Sequence, residues 1–85
     1  SNGEKLLAFA YSDTTTDIYD IDTGKKLFTI PYKVISTSSD RYIIVGREAE
    51  NIYGVYDFKG NMVAPVELSW QQLYENKYVN TTKRE

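Results

Sequence analysis

Apolar residues fall in short runs and alternations along this chain, without the sustained three-to-four-residue spacing of a long helix. Leu6-Leu7-Ala8-Phe9-Ala10 and Tyr42-Ile43-Ile44-Val45 are uninterrupted, which predicts strands over residues 4–11 and 41–47 with both faces covered. Residues 18–21 and 52–58 are also expected to be strands. In the second of these Ile52, Gly54, Tyr56 and Phe58 share one face while Tyr53, Val55 and Asp57 share the other. Asp22-Thr23-Gly24-Lys25 and Phe58-Lys59-Gly60-Asn61 read as hairpin turns, with Gly in the positive-φ position of a type I turn followed by a bulge. Strands are expected to return over 26–30 and 61–64. Pro31 and Pro65 are expected to stop them, because proline gives no ladder hydrogen bond. Residues 12–16 and 48–51 are polar links, and 32–39 and 66–76 are connectors. In the last of these Val66, Trp70, Leu73 and Tyr74 fit a short amphipathic helix and an irregular segment equally well.

The elements recur. Ile18-Tyr19-Asp20 and Val55-Tyr56-Asp57 lie 37 residues apart, and at the same offset Leu6-Leu7-Ala8 falls on Ile43-Ile44-Val45. After the turn the spacing slips by one, Gly24 to Gly60 being 36. Thr29-Ile30-Pro31 corresponds loosely to Val63-Ala64-Pro65, and Asp40-Arg41-Tyr42-Ile43 to Asn76-Lys77-Tyr78-Val79. The expected organisation is therefore all-β: antiparallel three-stranded meander units of about 37 residues, stacked like propeller blades or a solenoid. Unit one covers 4–39 and unit two 40–74. A third unit opens over 75–85, as though the chain were a piece of a longer array. Its strand Lys77-Tyr78-Val79-Asn80 lacks a partner, so self-association through that edge is expected.

Composition supports the β reading and narrows the chemistry. Eight Tyr, three Phe and one Trp join an abundance of Val, Ile and Thr in 85 residues, the types that suit a pleated, half-buried surface. A chain of this length buries only about 60–65% of its unfolded surface and is marginal alone. There is no His and no Cys. This removes Ser-His-Asp and Cys-His catalysis, disulfides and thiolate-zinc sites. The net charge of −2 gives no attraction for nucleic acid, and no apolar run reaches the roughly 18 residues of a membrane span.

Tyr53-Gly54-Val55-Tyr56-Asp57-Phe58-Lys59-Gly60-Asn61-Met62-Val63-Ala64-Pro65 resembles the WG-type β-repeat, with Tyr53 standing for the tryptophan of that family's dipeptide. Leu73-Tyr74-Glu75-Asn76-Lys77-Tyr78-Val79 continues the likeness, where the family places a connector and the next strand. The first unit keeps only Tyr19-Asp20, Gly24 and Pro31, since Asp17-Ile18 stands where Tyr53-Gly54 does in the second. Residues 36–46 with Val55-Tyr56-Asp57 and Gly60 are also similar, more weakly, to a β-propeller blade. Neither family carries a fixed catalytic activity. The resemblance implies a non-enzymatic module for protein or glycan binding without a cofactor, or else a structural segment of a larger propeller whose functional site lies elsewhere. It also implies an extracytoplasmic or surface location.

Several residues invite sharper readings. Asp20, Asp22 and Gly24 suggest the start of a calcium loop, but Lys25 and Pro31 occupy positions where an EF-hand needs its Gly and its bidentate Glu. Asp20 and Asp57 are better read as acceptors for the N–H groups of their turns. Asp13, Asp17, Glu48 and Glu50 offer carboxylate pairs for glycoside hydrolysis, yet they sit in polar links where solvated charge is the ordinary state. Tyr19, Tyr56, Tyr42 and Tyr78 recur between units and read as core. Trp70 and Tyr74 in the unrepeated connector, with Tyr11 and Tyr53 beside links, are the candidate binding surface, each combining a broad apolar ring with a polar tip. No catalytic or metal-binding residue is assigned. Asn80-Thr81-Thr82 matches an N-glycosylation acceptor.

Overall fold

The computed structural model describes residues 7–38 and 41–83, and it is mostly β, with two antiparallel sheets. The chain divides into two compact units, Ser1–Lys33 and Val34–Glu85.

The first unit is a meander of β1 (Leu7–Tyr11), β2 (Thr16–Asp20) and β3 (Lys26–Ile30), in spatial order β1-β2-β3. The four-residue link after β1 is tightened by Ser12, whose hydroxyl accepts from Thr14 and Thr15 N–H at 3.2 Å. β2 is the middle strand, and its buried positions alternate as the pleat requires: Thr16, Ile18 and Asp20 lie on the covered face. Thr16 tolerates complete burial because its hydroxyl donates to the Tyr32 carbonyl at 2.9 Å. Opposite it, Ile30 closes β3 and is also fully buried.

The second unit contains β4 (Val34–Ser38), β5 (Tyr42–Arg47), a 3₁₀ turn over Glu48–Glu50, β6 (Ile52–Asp57), β7 (Met62–Leu68) and α1 (Trp70–Glu75). The sheet order is β4-β5-β6-β7. β5 and β6 are central, each with four consecutive buried residues. The unbroken run Tyr42–Val45 predicts this for β5, whereas the like run Leu6–Ala10 does not give a covered strand, since β1 is an outer strand with Ala8, Ala10 and Tyr11 exposed. Ile44, Tyr53, Val55, Ala64, Trp70, Leu73 and Val79 form one buried cluster, with Ile35, Tyr42, Leu68 and Tyr78 packed against it. Full burial of each aliphatic member contributes about 1.5–3 kcal/mol relative to exposure.

The two Gly turns differ by one residue. Asp57 N–H donates to the Asn61 carbonyl at 2.9 Å and the Asp57 carbonyl accepts from Gly60 at 3.2 Å, leaving a three-residue loop. Asp20 N–H donates to Lys25 at 2.9 Å and its carbonyl accepts from Gly24 at 2.8 Å, leaving four. The extra residue in the first turn is the physical source of the slip from 37 to 36 seen in the sequence. Gly24 and Gly60 both adopt positive φ, 73° and 94°. Upstream the correspondence moves: Leu7 pairs with Asp20 and Tyr42 pairs with Asp57, so the strands before the two links match at a separation of 35, not 37.

Four further sequence expectations are corrected. Part of the connector expected at 32–39 is a strand, because β4 pairs with β5 and completes the hydrogen bonding of a strand that is buried on both faces. Pro65 does not stop its strand. β7 runs on to Leu68, since it lies at the edge of the sheet and its pairing to β6 is already irregular beside Pro65. Residues 66–76 are neither all helix nor irregular: a strand ends at Leu68 and a six-residue helix follows.

The edge strand expected at Lys77-Tyr78-Val79-Asn80 does not form. Lys77 takes φ 67°, its N–H donates to the Tyr74 carbonyl at 3.0 Å, and Tyr78 N–H donates to the Leu73 carbonyl at 2.9 Å. This pair of bonds is the Schellman ending of α1, and it takes up the N–H groups that a ladder would need. The opening strand of a third unit is therefore absent among the described residues. Residues 4–6 of the first expected strand lie outside them.

Candidate functional site

The features that gather side chains at one place begin where β7 ends. Ser69 leaves the strand with extended backbone, and its hydroxyl accepts from Gln72 N–H at 3.1 Å while Gln72 Oε1 accepts from Ser69 N–H at 2.8 Å. This reciprocal capping box starts a helix too short to persist alone. A second cap comes from the β5–β6 link, where Asn51 in left-handed conformation presents Oδ1 to Trp70 N–H at 3.1 Å. α1 then buries Trp70 and Leu73, three residues apart, and leaves Tyr74 40% exposed.

Trp70 packs edge-to-face on Tyr53, with centroids 5.2 Å apart at 76°. Its indole N–H donates to the Thr81 carbonyl at 3.0 Å, tying the chain beyond the helix back to the core. Val79 enters the cluster, and the Tyr78 ring meets Tyr42 edge-on at 5.2 Å. The Arg41 guanidinium stands 5.8 Å from the Tyr42 ring centre. Tyr42 and Tyr78, which the sequence presents as matching positions of successive units, thus touch one another.

The result is a cleft of about 570 Å³ lined by Ser38, Tyr74, Glu75, Lys77, Val79 and Asn80. The end of β4, the last turn of α1 and the segment after it meet there. Glu75 accepts from Gln71 at 3.3 Å, which holds its carboxylate on the helix surface. The lining combines one aromatic ring, one aliphatic wall, a carboxylate, an ammonium, an amide and a hydroxyl. A shallower depression of about 420 Å³ is lined by Glu48, Asn51, Gln71, Thr82 and Lys83, with Tyr53 and Trp70 at its floor.

The four candidate aromatics fall into different roles. Tyr53 and Trp70, expected on an open surface, are 2% and 8% exposed and pack on each other. Tyr74 is in the cleft. Tyr11 is 59% exposed and belongs to the other unit, where the Lys33 ammonium lies 5.6 Å from its ring centre. Sequence reasoning missed Ser38, Glu75, Lys77 and Asn80. The Ser69-x-x-Gln72 pattern was a usable sign of the helix start, from which the last turn could have been placed.

Several carboxylates are engaged in the fold. Asp20 Oδ1 accepts from Asp22 and Thr23 N–H at 2.8 and 3.2 Å, the turn-binding role expected of it. Asp57 Oδ1 accepts from Lys59 and Asn61 N–H at 2.9 and 2.8 Å, and its other oxygen from the Asn61 amide at 3.1 Å. Burial works to raise the Asp57 pKa, but the bonds from Asn61 and Lys59 and the Lys59 charge outweigh it and hold the carboxyl below its ordinary value. Asp17 accepts from the Thr29 hydroxyl at 2.6 Å, and Glu50 pairs with Arg47 at 3.3 Å on the exposed surface. No group of three metal-ligating side chains occurs among the described residues, and no helix there is long and apolar enough to cross a membrane.

No family model matches the chain, and neither a curated protein nor a solved structure matches it.

Proposed function

We propose that this chain is a non-enzymatic binding module that holds a saccharide in the cleft beside Tyr74. The observation that carries this reading is the composition of the cleft wall: a half-exposed ring next to donors and acceptors of both signs. A pyranose has an apolar face and a rim of hydroxyls, so it needs one aromatic surface and several short polar partners, which Asn80, Glu75, Lys77 and Ser38 supply. A protein anchor is served less well, because among the described residues Val79 is the only aliphatic side chain in the wall.

The same reading takes the chain as a WG-type β-repeat. What supports it is the shared part of Asp20 and Asp57, each accepting the N–H groups of a Gly turn between two strands. The alternative, a structural segment of a larger β-propeller, draws its support from the exposed Leu27 on β3 and Met62 and Val63 on β7, apolar side chains on outer strands of the two sheets.

A glycan array followed by calorimetric titration of the best ligand tests the saccharide reading. Tyr74→Ala is expected to weaken binding about tenfold or more, and Tyr11→Ala to leave it unchanged. Trp70→Ala is unsuitable as a binding probe because it opens the core. Affinity that survives both Tyr74→Ala and Asn80→Ala rules the cleft out.

A further inference from the structure

We propose that the outer edge of β1 is a pairing surface for β1 of a second copy of this chain. β1 is hydrogen-bonded to β2 on one side only, and its other side has no strand partner among the described residues. An edge of this kind is a row of N–H and C=O groups set at the spacing of another strand.

The outer strands are not equivalent. β7 carries Pro65 and Glu67 and β3 begins at Lys26 directly after Lys25, devices that discourage a further strand, while β4, which has neither charge nor proline, carries hydroxyl side chains at three of its five positions. β1 reads Leu-Ala-Phe-Ala-Tyr, with no charge and no proline, and Ala8, Ala10 and Tyr11 are exposed. A strand of this composition at an open edge is the kind that recruits a partner.

The occupant follows from the symmetry of the strand itself. Antiparallel pairing about a two-fold axis at Phe9 sets Leu7 opposite Tyr11, Ala8 opposite Ala10, and Phe9 opposite its own copy. Small side chains meet small ones, and an aliphatic meets an aromatic, so the strand is complementary to itself with no like charges brought together. The product is a six-stranded sheet, ordered β3-β2-β1 and then β1-β2-β3 of the second copy. β1 contributes no residue to the Tyr74 cleft, and the proposal does not depend on the saccharide reading.

Sedimentation equilibrium over a wide concentration range reads the association directly, and a monomer–dimer equilibrium is expected. The double substitution Ala8→Lys and Ala10→Lys places two like-charged pairs across the seam and is expected to raise the dissociation constant about tenfold or more. Because the chain has no native Cys, the register can also be trapped. Chains with Ala8→Cys mixed with chains with Ala10→Cys are expected to cross-link several-fold faster than either kind alone under mild oxidation. A monomer at every concentration, a dimer indifferent to the lysines, or equal cross-linking rates in the three mixtures overturns the proposal. Should the double-lysine chain fail to fold, the cysteine rates decide it, since each alters one exposed alanine.

Discussion

Both units begin from the same plan, a strand, a polar link, a second strand, an Asp-capped Gly turn and a third strand, yet they finish differently. Among the described residues the Ser1–Lys33 unit has three strands, with Ile18 and Ile30 as its fully buried apolar side chains. The Val34–Glu85 unit adds β4 on one edge, then α1 and the segment after it, and gathers seven buried residues into one cluster. The difference teaches that the larger apolar cluster of the second unit comes from what is added to the shared meander, not from the meander itself. A sheet acquires an interior only when another layer covers it, and in the second unit that layer rests on Trp70, Leu73 and Val79.

The comparison is broken most severely at the covering layer. Trp70→Ala is expected to destabilise the chain by about 3–5 kcal/mol in denaturant unfolding, since it removes the ring on Tyr53 and the bond to Thr81 together. Native-state hydrogen exchange on this variant should show protection falling in β5 and β6. A loss below about 1 kcal/mol would mean that the helix only decorates the sheet.

A smaller effect is expected at Gly54, which faces the edge strand. A Cβ there would sit 2.6 Å from the Val66 Cγ2 and 2.8 Å from its Cα, so β7 itself has to move. Gly54→Ala should cost about 1–3 kcal/mol by thermal or chemical denaturation. The corresponding stretch of the first unit, Asp17-Ile18, holds no glycine, so no such close approach is built there.

The smallest effect concerns the turns that the units share. Asp57→Ala should cost about 1 kcal/mol, the bonds being partly exposed. Its pH dependence has a definite sign. A carboxyl held below its unfolded value contributes stability that is present above the unfolded pKa of about 4 and lost as pH falls through the folded value. Acid titration of stability should therefore be shallower in Asp57→Asn than in the parent below about pH 4. Equal slopes would show that these bonds do not favour the ionised form.

The turns and the central strands were legible in the sequence because their causes are local. Asp20 and Asp57 bind N–H groups two to four residues away, Gly24 and Gly60 supply positive φ, and the run from Ile43 to Val45 reads as a strand, although the like run in β1 shows that coverage of both faces depends on sheet order. β4 was not legible: Val34-Ile35-Ser36-Thr37-Ser38 has little apolar pattern, and it becomes a strand because β5 offers an open ladder. Pro65 was misread for the same reason. Whether a proline ends a strand depends on which side of it is unpaired, and that is a property of sheet order. The cleft was visible only in part, through Tyr74. Ser38 and Asn80 lie 42 residues apart and carry no pattern linking them.

The sequence by itself determined the β class, the two Gly turns with their Asp acceptors, and the exclusion of His- and Cys-based chemistry, since each rests on residue type or on spacing within one hairpin. The tertiary structure alone decided which aromatics remain open to solvent. Trp70, Tyr53 and Tyr74 are indistinguishable by composition, but the capping by Ser69 and Asn51 sets the rotation of one short helix, and that rotation buries Trp70 on Tyr53 and turns Tyr74 outward. The fate of residues 77–80 was decided in the same way. Their strand-like composition yields to a helix ending whose hydrogen bonds are made three and five residues away, before any distant strand can compete for them.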